Sequence, residues 1–168
     1  RKQPAFVWWV INRLAFLVGA NNLSSFVLRF IQERFPEFSG SAAAGPTAKL
    51  MLVVGIAILL ISLPSGWLTD KFGKKPLIFI SGILAAMGTL LVILSAKMPL
   101  VYAGGVLIGL ATGMFFAANW ALGTDLVPAG ESGKWLGISN LAGAGAGAVG
   151  AYIGGPIGDG AGYLVLMG

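Results

Sequence analysis

MPLVYAGGVLIGLATGMFFAANWALGT, residues 98–124, runs without a charged side chain. It is long enough to cross the hydrocarbon core of a bilayer as a helix, which takes about 20 mostly apolar residues. Leu50 to Thr69, Pro76 to Ala96 and Trp135 to Gly158 are charge-free windows of the same kind. A fifth stretch, from about Phe6 to Ile31, is long enough but contains Arg13 and Arg29. The predicted spans are therefore about 6–31, 50–69, 76–96, 100–125 and 135–158. Tyr163-Leu164-Val165-Leu166-Met167 opens another apolar run, so 159–168 reads as the start of a sixth span. With no initiating Met at Arg1, the expectation is a piece of a longer protein. The first apolar stretch is too long for a cleavable signal peptide and lacks a small-residue cleavage pattern after it.

The spans read as helices. Membrane strands would be about 10 residues long with alternating polarity, and these runs do not alternate. In lipid each backbone amide needs an internal partner, which a helix supplies within one segment. The predicted fold class is an all-α integral membrane bundle of five transmembrane helices.

Composition excludes the other classes. Of 168 residues, 57% are hydrophobic and 10% charged, and the mean hydropathy is +0.86. A soluble domain carries about a quarter charged residues, and disorder needs low hydrophobicity with high net charge. The net charge of +5 comes from Lys and Arg scattered between apolar runs, with no basic stripe for nucleic acid. Cysteine and histidine are both absent, which removes disulfides, thiolate and imidazole metal sites and the commonest general base. No paired carboxylates or nucleophile–base pair stands out, so no catalytic residue, cofactor or metal is expected. The partners expected are the lipid bilayer, an unidentified small-molecule substrate, and the missing half of the same chain or neighbouring membrane subunits.

Loop charges indicate orientation. Arg1, Lys2, Lys71, Lys74, Lys75 and Lys134 fall on one side, and Arg34, Lys49 and Lys97 on the other. By the positive-inside bias the richer side, with the N-terminus, is cytoplasmic, in a bacterial inner membrane or a plasma membrane. Residues 32–48, with Pro36, Ser39, Gly40, Ser41, Gly45 and Pro46, have the composition of turns and irregular chain.

Helices in lipid associate through close backbone contact at small residues. Gly105, Gly109, Gly113, Ala117 and Ala121 recur every four residues, and Asp125 is the next step. The last span has two such rows, Ala146, Gly150, Gly154, Gly158 and Gly143, Gly147, Ala151, Gly155. These rows serve either static packing or a surface on which helices slide.

Three motif matches fail on context. Gly145 to Gly150 fits G-x-G-x-x-G but lies inside an apolar helix with no preceding strand. Glu131-Ser132-Gly133-Lys134 lacks the first glycine of a phosphate loop, because Pro128 stands there, and has Trp135 in place of Ser or Thr. Asn22-Leu23-Ser24 is a glycosylation triplet buried mid-span.

Between the second and third spans the chain reads Gly66-Trp67-Leu68-Thr69-Asp70-Lys71-Phe72-Gly73-Lys74-Lys75-Pro76-Leu77. Gly66 allows a neighbouring helix to approach, and Gly73 permits the positive φ of a tight turn. Asp70, at a helix end, is placed to meet another helix N-terminus or a basic side chain, the loop lysines included. This loop resembles the signature of the major facilitator superfamily, G-x-L-x-D-[RK]-x-G-[RK]-[RK], with every specified position matched. A topology-fixing basic loop is the plain alternative. The resemblance implies a secondary transporter working by alternating access, in which Gly66, Asp70, Lys71, Gly73, Lys74 and Lys75 form a conformational latch between two halves. It also implies a half: the family's first half carries an arginine in its fourth span and G-P-x-x-G-G in its fifth. Here Val101 to Thr124 has no arginine, and the fifth span reads Gly154-Gly155-Pro156-Ile157-Gly158-Asp159. Both departures favour the second half, spans seven to eleven. A non-transporting subunit of the same fold is the rival reading.

Transporter sites lie near mid-depth between the halves. Asn21, Asn22, Ser25 and Arg29 of the first span are the substrate candidates, since polar groups at that depth mark function by default, with interhelical hydrogen bonding as the equal alternative. Asn119, Trp120 and Asn140 are secondary candidates, each nearer the cytoplasmic end of its span. Arg13, near the cytoplasmic end, is expected to snorkel to the interface. Asp70, Asp125 and Asp159 lie at span ends, so an acid that titrates in proton-coupled transport or symport is expected in the missing half.

Overall fold

A computed structural model describes residues 4–127 and 130–162. Five long helices account for nearly all of them: α1 (Pro4–Arg34), α2 (Ala44–Phe72), α3 (Lys74–Leu94), α4 (Met98–Leu126) and α5 (Ser132–Ala161). Each is long and apolar enough to cross a membrane, and exposed residues such as Leu59, Leu63, Leu94 and Leu141 give the bundle an apolar exterior. The chain is an integral membrane protein. The expected start of a sixth span at 163–167 lies outside the described residues, as do Pro128 and Ala129 in the connector before α5.

Residues 32–48 are more regular than their composition predicts. α1 continues to Arg34, two short 3-10 turns cover Pro36–Phe38 and Gly40–Ala43, and α2 starts at Ala44. Gly45 and Pro46 fall in its first turn, where backbone N–H groups have no helical partner and proline removes nothing. Gln32 Nε2 donates to the Gly40 carbonyl at 2.8 Å, and Arg34 Nε to the Ser95 carbonyl at 3.2 Å, closing this end of the bundle.

α4 is the central helix: half of its apolar window is buried, against 17–22% in the other four. It is clasped between α2 and α3 through glycines. A Cβ at Gly109 would lie 2.6 Å from the Val54 carbonyl oxygen, and one at Gly113 2.8 Å from that of Ile58. At Gly105 the same atom would meet Leu50 Cδ1 at 2.5 Å. The row Gly105, Gly109, Gly113 is therefore where α2 touches α4 backbone to backbone. On the other side Gly88 of α3 and Gly104 face each other, each Cβ position within 2.9 Å of the other's carbonyl oxygen.

α5 packs on α1, and the two run parallel: Phe6 meets Trp135 at their starts, and Arg29 meets Asp159 at their ends. The contact is tight at Gly154, where a Cβ would lie 2.6 Å from Asn22 Oδ1, and closer than usual at Gly150, 3.3 Å from the same atom. Gly143 and Gly147 make ordinary contact, with Cβ positions 3.5 Å from Leu17 Cδ1 and 3.8 Å from Asn21 Nδ2. Gly145 and Gly155 face open space.

Candidate functional site

The signature turn is a single residue long. α2 ends at Phe72, Gly73 takes φ +90°, and α3 begins at Lys74. That φ is strained for any residue with a Cβ. The Gly73 N–H donates to the Thr69 carbonyl at 3.0 Å, and buried Thr69 donates its hydroxyl back to Ser65 at 2.6 Å. Leu77, 2% exposed, anchors the start of α3.

The charges of the turn do not pair as the sequence predicts. Lys74 makes its ion pair with Asp125 at the end of α4, joining α3 to α4. Lys71 folds back over Trp67 and Phe72, 4.8 and 5.5 Å from their ring centres. Asp70 is exposed and makes no hydrogen bond or ion pair among the described residues, and Lys75 is exposed. Among the described residues no helix approaches Gly66, and nothing lies within 4 Å of its Cβ position. Helical geometry explains this. Leu59, Leu63, Gly66 and Asp70 share one face of α2, opposite the face that packs on α4, and that face is uncovered.

The second site lies where α1 crosses α4. Trp9, Arg13 and Phe16 follow at helical spacing along α1 and meet Gly123, Asn119 and Phe115 in reverse order along α4. Gly123 leaves the space that the Trp9 ring fills. Trp9 Nε1 donates to the Asn119 carbonyl at 2.9 Å, and Arg13 Nη1 to Asn119 Oδ1 at 3.2 Å. Phe16 stacks on Phe115 with ring centres 3.7 Å apart. The Arg13 guanidinium stands over Trp120 at 5.4 Å and over Trp9 at 6.0 Å.

Arg13 therefore corrects the expectation of a snorkelling side chain. It is 8% exposed and bonded across the bundle. The usable signal was the Trp9–Arg13–Phe16 spacing, which puts the arginine on the same face as two aromatic rings, and a charge inside an apolar span is costly enough to mark a site.

The predicted substrate residues are not brought together. Asn119 is fully buried beside Arg13. Asn21 is half-buried near Gly147, and Asn22 turns an unpartnered Oδ1 onto Gly150 and Gly154. Ser25 and Asn140 are exposed. Arg29 lies sixteen residues, or about 24 Å of helix, beyond Arg13 and meets Asp159 at 3.8 Å, with both side chains mostly exposed.

The comparisons agree with the turn and the helical bundle. The profile of the Major Facilitator Superfamily matches residues 14–167. The chain belongs to this superfamily. Among curated proteins it is similar to the minor myo-inositol transporter IolF of Bacillus subtilis (strain 168), 32% identical over 88 residues. That match covers 52% of this chain and 20% of that transporter. The superfamily chain described here thus spans a small part of the length of its relative. Its uncovered α2 face and pinned turn are features of the bundle as it stands.

Proposed function

We propose that this chain forms part of a secondary active carrier that moves a small solute by alternating access. The observation that supports it most is the uncovered α2 face with Asp70 and Gly66 beside a turn that Lys74 fastens to α4. A rigid turn that presents an unpaired carboxylate is suited to engage a second bundle in one conformation and release it in another. Gly66 leaves room there for close approach, and Lys75 adds a further charged contact. The superfamily and the name of the inositol-transporting relative point the same way.

We place the chain in the second half of the carrier, as spans seven to eleven, because its fourth span lacks an internal arginine and its fifth reverses the glycine–proline order. The end that bears Lys71, Lys74 and Lys75 faces the cytoplasm by charge bias. Asn21 and Asn22, on the seam between α1 and α5, are the polar groups nearest mid-depth of α1 and the candidate solute contacts of this chain.

The test is uptake of labelled myo-inositol and of a small solute panel by proteoliposomes holding the full-length protein, with Asp70→Asn alongside. The expected result is solute uptake that falls at least tenfold in the variant while the protein stays folded. Unchanged flux in Asp70→Asn would overturn the latch, and no uptake of any solute would overturn the carrier.

A further inference from the structure

Arg13 Nε, Asn119 Nδ2 and Ser139 Oγ are buried with no hydrogen-bond partner among the described residues. The first two belong to side chains already bonded to each other through Arg13 Nη1 and Asn119 Oδ1. Ser139 lies one helical turn before Gly143 on the same face of α5, and a Cβ at Gly143 would be 3.9 Å from Arg13 Nε. Arg13 and Asn119 thus adjoin where α1 meets α4, and Ser139 lies on the face of α5 that turns toward α1. All three can donate.

No acidic side chain among the described residues pairs with Arg13. A guanidinium keeps its charge in any protein environment, and a buried charge needs an opposite charge or dense hydrogen bonding. Trp9 and Trp120 lie against the guanidinium, which leaves its edges for hydrogen bonds. The chain has six acidic side chains, and none reaches Arg13 among the described residues. Asp125 is held by Lys74, Glu131 accepts from Trp135 Nε1, and Asp159 meets Arg29. Asp70 is exposed beside the turn, Glu33 lies near Gly162, and Glu37 sits in the 3-10 turn at the far end. Water would satisfy the donors but leave the charge uncompensated.

We propose that Arg13, with Asn119 and Ser139, recognises an oxyanion: the carboxylate or phosphate group of a solute that the carrier handles. The inference rests on the carrier reading. It narrows the substrate class to solutes that carry an anionic group. An oxyanion accepts from the free Nε edge while Asn119 Nδ2 and Ser139 Oγ supply further donors, a charge-assisted arrangement stronger than neutral pairs.

The experiment is calorimetric titration of the purified full-length protein with acetate, inorganic phosphate and glucuronate, and with myo-inositol as the neutral probe. Saturable binding of at least one oxyanion is expected, weakened tenfold or more in Arg13→Gln, about the effect of losing one charge-assisted contact. Arg13→Lys, which keeps charge without the fork, should fall between. Gly143→Asp sets a carboxylate opposite Nε and should abolish oxyanion binding with the fold intact by thermal unfolding. The proposal is overturned if no oxyanion binds the parent protein, as it would be were the site filled by water or by a carboxylate from elsewhere in the full chain. It is also overturned if Arg13→Gln or Gly143→Asp binds like the parent. Binding needs no transport, so lost oxyanion binding with intact uptake of a neutral solute overturns this proposal alone. Intact binding without any uptake overturns the carrier reading alone.

Discussion

Lys74 reaches across to Asp125 and leaves Asp70, four residues earlier, exposed and unpaired among the described residues. The reason is the break at Gly73. With φ at +90° the chain reverses, so Asp70 faces outward from α2 while Lys74 starts α3 beside the end of α4. One lysine staples two helices of the same bundle, and the carboxylate that gives the motif its acidic character stays available to something else.

The staple is measurable. The two side chains are 27% and 56% exposed, so solvent screens the pair and its contribution stays at or below about 1 kcal/mol. Lys74→Ala and Asp125→Ala should each lower stability by no more than that, and the double variant should cost less than the sum. A double-mutant cycle on unfolding in detergent checks it. A coupling energy indistinguishable from zero would show that the pair contributes nothing.

Asp70→Asn should leave stability within about 0.5 kcal/mol of the parent, because an exposed group without a partner has no native interaction to lose. The same variant should impair uptake, as proposed above. Loss of both together, seen in unfolding and flux assays, would mean that Asp70 holds this bundle itself.

The α4 glycines differ sharply from those of α5 that face outward. Gly109→Leu forces side-chain atoms into the Val54 carbonyl and Ala57, and should cost about 1–3 kcal/mol through overpacking. Gly145→Ala meets nothing within 4 Å and should be neutral, or stabilising by up to about 1 kcal/mol through helix propensity. Unfolding titrations of the two variants side by side decide whether close approach or composition explains these residues.

Trp9→Phe keeps the ring that fills the space at Gly123 but loses the Nε1 hydrogen bond to Asn119. The expected loss is about 0.5–1.5 kcal/mol of stability. Gly123→Leu should displace the Trp9 ring and shift the tryptophan emission to longer wavelength. An unshifted spectrum in Gly123→Leu would place Trp9 elsewhere.

Much was legible in residue order because lipid imposes a simple rule. A span must be long, apolar and internally hydrogen-bonded, so four charge-free windows and one apolar stretch bearing Arg13 and Arg29 marked five helices before any contact was known. The four-residue glycine row of α4 was legible for the same reason, since close approach in lipid requires small residues at that spacing. The match of Gly66 to Lys75 with a known turn placed the family.

Which helix meets which row, and which charge meets which, was decided only by tertiary packing. Gly105, Gly109 and Gly113 announce a contact but not that α2 makes it; Arg13 looks like an interfacial side chain until α4 supplies Asn119 and Trp120. Helical periodicity sorts residues onto faces within one segment, whereas an ion pair such as Lys74–Asp125 depends on two segments far apart in sequence. The sequence alone thus determined spans, faces and family. The arrangement of the bundle determined that the buried cation sits on α1 beside α4, and that the acid of the signature turn looks outward.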